Sequence, residues 1–391
     1  MQLKATEKPL DWRSIEAELL RALPLVAARA DRLDQSPNQT GGDLAEDLDL
    51  LARIGLFAAA LPSGDGGLGL GLGYSAQATL WTATVLRRLG RANLSVARLF
   101  EGHLNALKLI ELHAAPATRR RLVRRAAAGA VFGIWGAEGA TPARLHPHGD
   151  GSYRLSGAKA FASGLGLVDV AVITVRRPND AAEVQLVAID AGDRDRQQPE
   201  QWTAAAMRAT RSGGFVLDDM VATVADFVGG PNDYLLEPHF EGGIWRYCAA
   251  HVGGAEALVE ALRRSLITSG RASDVHQLDR LARAAARCEA GRRLVEAAAV
   301  KVEASRGGTR GEIDAAVAHA LVTREVVEEA CVAVLYLVER SLGVRAHVAG
   351  SSIERQRRDL GLYLRQAAPD AKLQQAGRLI AGAAAVIGEQ W

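Results

Sequence analysis

The feature that most constrains this chain is a change in hydrophobic period. From Asp11 to about Arg125 apolar residues recur at helical spacing, as in Leu19, Leu20, Leu23, Leu25 and Val26 and again across Leu48 to Phe57. Between about Ala126 and Gly230 the period falls to two and β-branched residues take over. Val131 to Trp135, Tyr153 to Leu155, Val170 to Val175, Val184 to Ile189, Gly214 to Leu217 and Val221 to Val228 read as short strands bounded by Gly, Asp, Asn or Pro. After Pro231 helical spacing returns over about 246 to 269, 274 to 306, 310 to 342 and 370 to 388, in segments rich in Ala, Leu, Val, Arg and Glu. This order predicts an α+β, mostly α chain. It has an N-terminal helical domain (1–125), a small middle β-barrel or antiparallel sheet domain (126–230) and a C-terminal four-helix bundle (231–391). The strands alone would leave a thin core, so the sheet must lie against helices, and the alanine-rich bundle faces predict close helix approach.

One stretch breaks the first helical region. Leu61 to Tyr74 (LPSGDGGLGLGLGY) is too rich in glycine for a helix and reads as a loop with positive-φ turns. No strand, Gly-x-Gly-x-x-Gly and helix succession can be placed on it, so it is not a dinucleotide fingerprint. Lys plus Arg number 47 against 45 Asp plus Glu, which gives no broad electrostatic case for nucleic acid or an anionic membrane. Arg119 to Arg125 (RRRLVRR) reads as a solvated helix face. Cys248, Cys288 and Cys331 sit in apolar helical patterns and are expected as buried reduced thiols, while His146 and His148 lack partners at metal spacing, so no metal site is expected. The N-terminal MQLKATEKPLDW lacks an apolar signal core, and no stretch approaches the ~18 uninterrupted apolar residues of a membrane span. A cytoplasmic location is expected.

Four segments carry a family resemblance. They are Gly55 to Gly69 (GLFAAALPSGDGGLG), Phe132 to Glu138 (FGIWGAE) with Leu155 to Gly164 (LSGAKAFASG), Met207 to Asp219 (MRATRSGGFVLDD), and Ser341 to Asp359 (SLGVRAHVAGSSIERQRRD). In this order and spacing they resemble the acyl-CoA dehydrogenase superfamily over nearly the whole chain. The resemblance implies a flavin-dependent oxidoreductase acting on the CH–CH group of an acyl thioester or similar small acyl substrate. It implies FAD, with FMN as the other choice, and an electron acceptor or flavin reductase as partner. Because the family completes its flavin site across a subunit interface, it also implies a homodimer or homotetramer.

An isoalloxazine ring needs an aromatic or apolar wall and hydrogen-bond partners at its edge. Phe161 and Ser163 match the family positions that supply these. Gly136 and Ala137 fall where backbone and usually a hydroxyl side chain meet the ring edge, and Ala137 can offer only its backbone. Arg271 matches the bundle arginine that reaches the flavin pyrophosphate from a neighbouring subunit, a role suited to a fixed fork of donors. The usual Phe-Gly after it is absent, and the chain runs RASDVHQ with an apparent shortening. Gly343 fits the turn near the adenine end, and Arg340 stands where glutamine is more usual.

The expected base is missing. Removing an α-proton needs a carboxylate opposite the ring, yet after Arg358–Asp359 the chain reads LGLYLRQAAPDAKL, without an aromatic-Glu-Gly segment. The other family position falls near Ile244 or Trp245, just before Arg246, the candidate substrate contact; Glu241 is the neighbouring carboxylate. GATPARLH also stands where Gly-Ser often holds CoA. A related branch, the two-component flavin monooxygenases, uses reduced flavin and O2 and needs no such base. That branch often carries one histidine before the β-domain and another after the Arg-Asp pair. His103 (FEGHLNAL) fits the first position, Gln366 occupies the second, and FASG at 161–164 suits the branch. Three readings follow: an acyl-CoA dehydrogenase-like enzyme, a two-component monooxygenase, and a non-catalytic member of the fold.

Overall fold

The computed structural model describes residues 10–34, 44–178, 180, 182–366 and 368–389. Its first layer holds α1 (Trp12–Asp34), α2 (Leu44–Arg53), α3 (Ala76–Ala92), α4 (Leu94–His113) and α5 (Pro116–Ala127). Asn93 separates α3 from α4 in extended backbone, and its side chain accepts from Ser95 N at 2.9 Å, capping α4. Helix α4 is buried along most of its length, as required of a helix packed on both sides.

The glycine-rich stretch is a loop, as its composition demands. A Cβ on Gly73, which has φ +73°, would lie 2.0 Å from Glu303 Oε2, so only glycine lets the loop close over that carboxylate.

The middle region contains β1 (Phe132–Trp135), β2 (Arg144–Pro147), β3 (Tyr153–Ser156), β4 (Ala158–Lys159), β5 (Val170–Arg176), β6 (Val184–Asp190), β7 (Gln197–Gln198), β8 (Gly214–Val216) and β9 (Val221–Ala222). One sheet runs β1-β5-β2-β3-β9 with β6 on β5; the second runs β4-β8-β7. The expectation of a purely antiparallel sheet is corrected: β1 and β2 both pair parallel with β5. The excursion through β2, β3 and β4 returns the chain to β5 in its original direction, which a hairpin cannot do. Strand β5 is buried at every residue but the last, which accounts for its unbroken apolar run. The strand expected over 221–228 ends at Ala222. Thr223 and Asp226 cap each other's backbone there and turn the chain into a single 3-10 turn.

The last region holds α6 (Trp245–Thr268), α7 (Val275–Ala304), α8 (Arg310–Leu342), α9 (Ser352–Tyr363) and α10 (Pro369–Gly382). Helices α6, α7 and α8 pack mutually and α10 lies on α8. Helix α9 is additional, and packs on α6 while touching α1 and α4. Close approach is real between α3 and α6. A Cβ on Gly253 would sit 1.9 Å from the Arg87 carbonyl oxygen, and one on Gly90 would sit 2.3 Å from that of Ala250. The basic run on α5 is held in ion pairs: Arg119 with Glu111 and Asp65, Arg121 with Asp226, Arg125 with Asp190. All three cysteines are buried and free, and burial pushes the Cys248 and Cys288 thiols up to about 12. Among the described residues no helix is long and apolar enough to cross a membrane, and no group of His, Cys, Asp and Glu could hold a metal ion.

Candidate active site

Backbone hydrogen bonds lay the end of β1 beside the segment that follows β3. Gly139 N donates to Ala158 O (2.9 Å) and Ala160 N to Ala137 O (3.0 Å). Trp135 Nε1 then donates to Ser163 O at 3.0 Å. Gly136, Ala137, Phe161 and Ser163 are thereby brought to one place. The Gly136 carbonyl is fixed from behind, accepting from Thr174 Oγ1 (3.1 Å) and from the buried Lys159 Nζ (3.3 Å). Burial holds the Lys159 ammonium below its ordinary range, and Glu138 at 3.1 Å opposes that effect.

Phe161 is 64% exposed and holds a left-handed backbone at φ 52°. An uncovered aromatic on strained backbone is unfavourable locally, and such outliers concentrate at sites built to receive a ligand. Its ring meets Trp202 edge-on at 6.1 Å. Behind it, Ser212 Oγ donates to Ser163 Oγ (3.2 Å) and lies 2.8 Å from Thr210 Oγ1. The Arg358–Asp359 pair anchors this side of the site. Asp359 accepts from Met207 N at 2.7 Å, and Arg358 donates to the Ala205 carbonyl. It ties α9 to the turn that precedes β8.

A second set of groups lies along α4. Arg98, Glu101, Asn105 and Lys108 recur at i, i+3, i+7 and i+10, which puts them on one helix face. Glu101 accepts from Arg98 and from Asn105. Lys108 Nζ donates to Glu303 Oε2 at 2.7 Å and to the Leu72 carbonyl. Arg246 Nη2 donates to Glu303 Oε1 (2.7 Å) and to Gly71 O (3.1 Å). Burial alone would raise the Glu303 carboxyl, but Arg246 and Lys108 outweigh it and hold it below its usual range. Burial brings the Lys108 ammonium down to about 8 against the opposing pull of Glu303. At neutral pH this network is therefore charged. His239 sits 3.9 Å from Glu303 Oε2, and burial, then the Lys108 charge, hold its imidazole down to about 3. Tyr234 stands where the charges of Glu241, Glu101 and Arg98 all reach it, and burial pushes its hydroxyl up to about 12.

The remaining residues singled out in the sequence fall elsewhere. His103, expected to face a ligand, is 1% exposed. Its Nδ1 accepts from Phe132 N at 3.1 Å and its ring packs edge-on against Phe57 at 4.9 Å. Burial holds it neutral, down to about 3. It joins α4 to β1 inside the core, and its Nε2 is buried without a hydrogen-bond partner among the described residues. Arg246 is 2% exposed and turned inward to Glu303, with its guanidinium 4.6 Å from the centre of the Trp245 ring, so it is not offered to a substrate. Glu241 is ion-paired with Lys372 of α10, which removes it as a free base. Gln366 follows α9, its backbone N donating to Tyr363 O at 3.2 Å.

Arg271, Arg340 and Gly343 gather at the bundle end formed by the α6–α7 turn and the end of α8. Arg271 Nη1 donates to Ser341 O at 3.4 Å and its guanidinium lies within reach of the Gln277 side chain. Arg340 donates to the Tyr336 hydroxyl at 2.8 Å, and Gly343 ends α8 at φ 59° with open space around it. The length of α6 places Arg271 roughly 35 Å along the helix from Arg246.

Sequence reasoning passed over Arg98, Glu101, Asn105, Lys108, Tyr234 and Glu303. The signal for the first four was present: polar residues at a helical period on an otherwise apolar helix.

No family model matches the chain. A dibenzothiophene monooxygenase from Mycolicibacterium goodii is 26% identical over 211 residues, covering 51% of this chain and 48% of the relative. An L-evernosamine nitrososynthase from a Micromonospora species is 29% identical over 217 residues, covering 53% and 49%. The chain thus spans about half the length of the curated relatives it matches. Among solved structures, the complex of TdsC from Paenibacillus sp. A11-2 with FMN and indole superposes with a TM-score of 0.79 at 19% identity, over 94% of this chain and 96% of that one. The chain has the acyl-CoA dehydrogenase-like fold.

Proposed function

We propose that this chain is a flavin-dependent monooxygenase that takes reduced FMN and O2 and oxygenates a small organic molecule. One observation carries the reading: the platform for a flavin ring is open, while Glu101, Glu241 and Glu303 are each tied to a cation. Abstracting the α-proton of an acyl thioester needs a carboxylate free to accept it. The names of both curated relatives and the FMN in the TdsC complex support the same choice. The acyl-CoA dehydrogenase reading gives way to it.

The residues present fit a flavin. Phe161 would carry one face of the ring, and Ser163 with the backbone of Gly136 and Ala137 would meet its edge. Ser163 accepts from Ser212, and its own hydroxyl donates to the Phe161 carbonyl over a long 3.5 Å, a bond that a flavin acceptor would replace. When bound, reduced FMN supplies the two electrons that let one atom of O2 enter the substrate while the other leaves as water. FMN is favoured over FAD because Arg271, the expected pyrophosphate ligand, is engaged with Ser341 of its own bundle. A separate flavin reductase is the partner this reading requires, and a homo-oligomer is the proposed assembly.

The test is to supply reduced FMN and oxidised FAD separately to the purified protein without oxygen, then challenge the FAD sample with an acyl-CoA panel. Binding of reduced FMN, followed by O2 consumption on aeration, supports the proposal. Stoichiometric FAD that is bleached by an acyl thioester overturns it.

A further inference from the structure

The edge of the platform lacks a side chain of its own. Gly136 has none and Ala137 carries only a methyl group, yet both are exposed at the open end of β1. A flavin ring presents polar atoms along one edge, and the hydrogen bonds made to them set its electron affinity. A hydroxyl does reach this place, from a distant part of the chain. Tyr234 lies in the connection between β9 and α6, and its Oη is 3.7 Å from where a Cβ on Gly136 would stand. Among the described residues it is the sole atom within 4 Å of that position outside the glycine and its chain neighbours. Its ring is steadied edge-on by Phe240 at 5.0 Å, and Gly136 is fixed by Thr174 and Lys159. No hydrogen bond among the described residues uses the Tyr234 hydroxyl.

We infer that Tyr234 supplies, from outside the β-domain, the side-chain donor that Gly136 and Ala137 lack, and that its hydroxyl contacts the polar edge of the bound flavin. The inference rests on the reading of the site as a flavin site. It also explains the glycine: a side-chain hydroxyl at 136 and the Tyr234 phenol would serve the same small volume.

The experiment moves the hydroxyl. Tyr234→Phe keeps the ring and its contact with Phe240 and removes only the oxygen. Gly136→Ser in the Tyr234→Phe background returns a hydroxyl from the opposite side; the backbone at 136 is not left-handed, and the vacated phenol oxygen leaves room for it. FMN binding is followed by fluorescence quenching, together with the absorption spectrum of the bound oxidised flavin. Tyr234→Phe is expected to weaken FMN binding roughly 5- to 10-fold, the effect of one hydrogen bond, and to shift the visible bands. The double variant is expected to recover to within about 2-fold of the parent, with the bands restored. If wild type binds FMN and Tyr234→Phe binds it equally with an unchanged spectrum, the inference is wrong while the flavin reading stands. Failure of the double variant to recover also overturns it, because the hydroxyl then does not act at position 136. If wild type binds no FMN, the reading and the inference fall together.

Discussion

The two polar regions of this molecule are built in opposite ways. The network joining α4, α6 and α7 is closed: Glu303 is about 4% exposed in its side chain and receives both Lys108 and Arg246, and the loop carbonyls of Gly71 and Leu72 accept further hydrogen bonds from those two cations. The platform at the end of β1 is open: Phe161 is uncovered, its backbone is strained, and Gly136 and Ala137 face outward. Buried ion pairs are held because losing one partner strands the other, whereas strain and uncovered aromatic surface persist where a ligand relieves them. On the proposed function, charge density is thus a poor guide to the reactive site. The denser cluster joins the glycine-rich loop to the bundle, and the sparser region is the one proposed to receive the flavin.

This contrast can be broken by substitution. Glu303→Ala leaves Lys108 and Arg246 buried without their carboxylate and is expected to destabilise the fold by about 3–5 kcal/mol, measured by urea unfolding. A loss under about 1 kcal/mol would mean that the network is solvated and could serve as a site.

Acid should act next, through the buried histidines: His239 beside Glu303, His103 between α4 and β1, and His251 of α6 against Tyr363. Burial is the largest cause of the depressed pKa of His103, His239 and His251, each brought to about 3 from 6.5. Between those values the unfolded chain binds more protons than the folded one, so stability falls as pH drops below about 6.5 and the loss is complete near pH 3. At pH 5 the expected loss is about 2 kcal/mol per histidine, read from urea midpoints at pH 7 and pH 5. His103→Asn should remove its own share of that loss, about 2 kcal/mol between pH 7 and pH 5.

The open region should respond in the other coordinate. Phe161→Ala is expected to weaken FMN binding about 10-fold, with stability changed by less than about 0.5 kcal/mol because its side chain is uncovered in the free protein. Smallest of all, Ser212→Ala releases the Ser163 hydroxyl from its orienting donor and should weaken binding about 2- to 5-fold. Equal effects of Phe161→Ala and Glu303→Ala on stability would erase the distinction between the regions.

How far the sequence disclosed this depends on whether a signal was local. Helices α6, α7 and α8 begin and end within two residues of their expected bounds, because each carries a long apolar period. Strand β2 escaped notice because its RLHP run has a single buried residue and ends on proline. The mixed sheet was invisible, since parallel pairing of β1 with β5 depends on a return path of more than thirty residues. That Phe161, Ser163, Gly136 and Ala137 lie together was legible because all four sit in the two motif segments that pair in the β-domain. The burial of His103 was not legible, because a histidine on a helix looks the same in sequence whether it is exposed or set among phenylalanines. Tyr234 and Glu303 had no local signal at all: each becomes meaningful only beside Gly136 or Lys108, at separations of 98 and 195 residues.

The most direct test of the account is the dissociation constant for reduced FMN, measured anaerobically on wild type and Phe161→Ala side by side. The account expects saturable binding by wild type near one flavin per chain and about 10-fold weaker binding by the variant, with both proteins unfolding at the same urea concentration. Equal binding by the two proteins, or no binding by wild type, would contradict it.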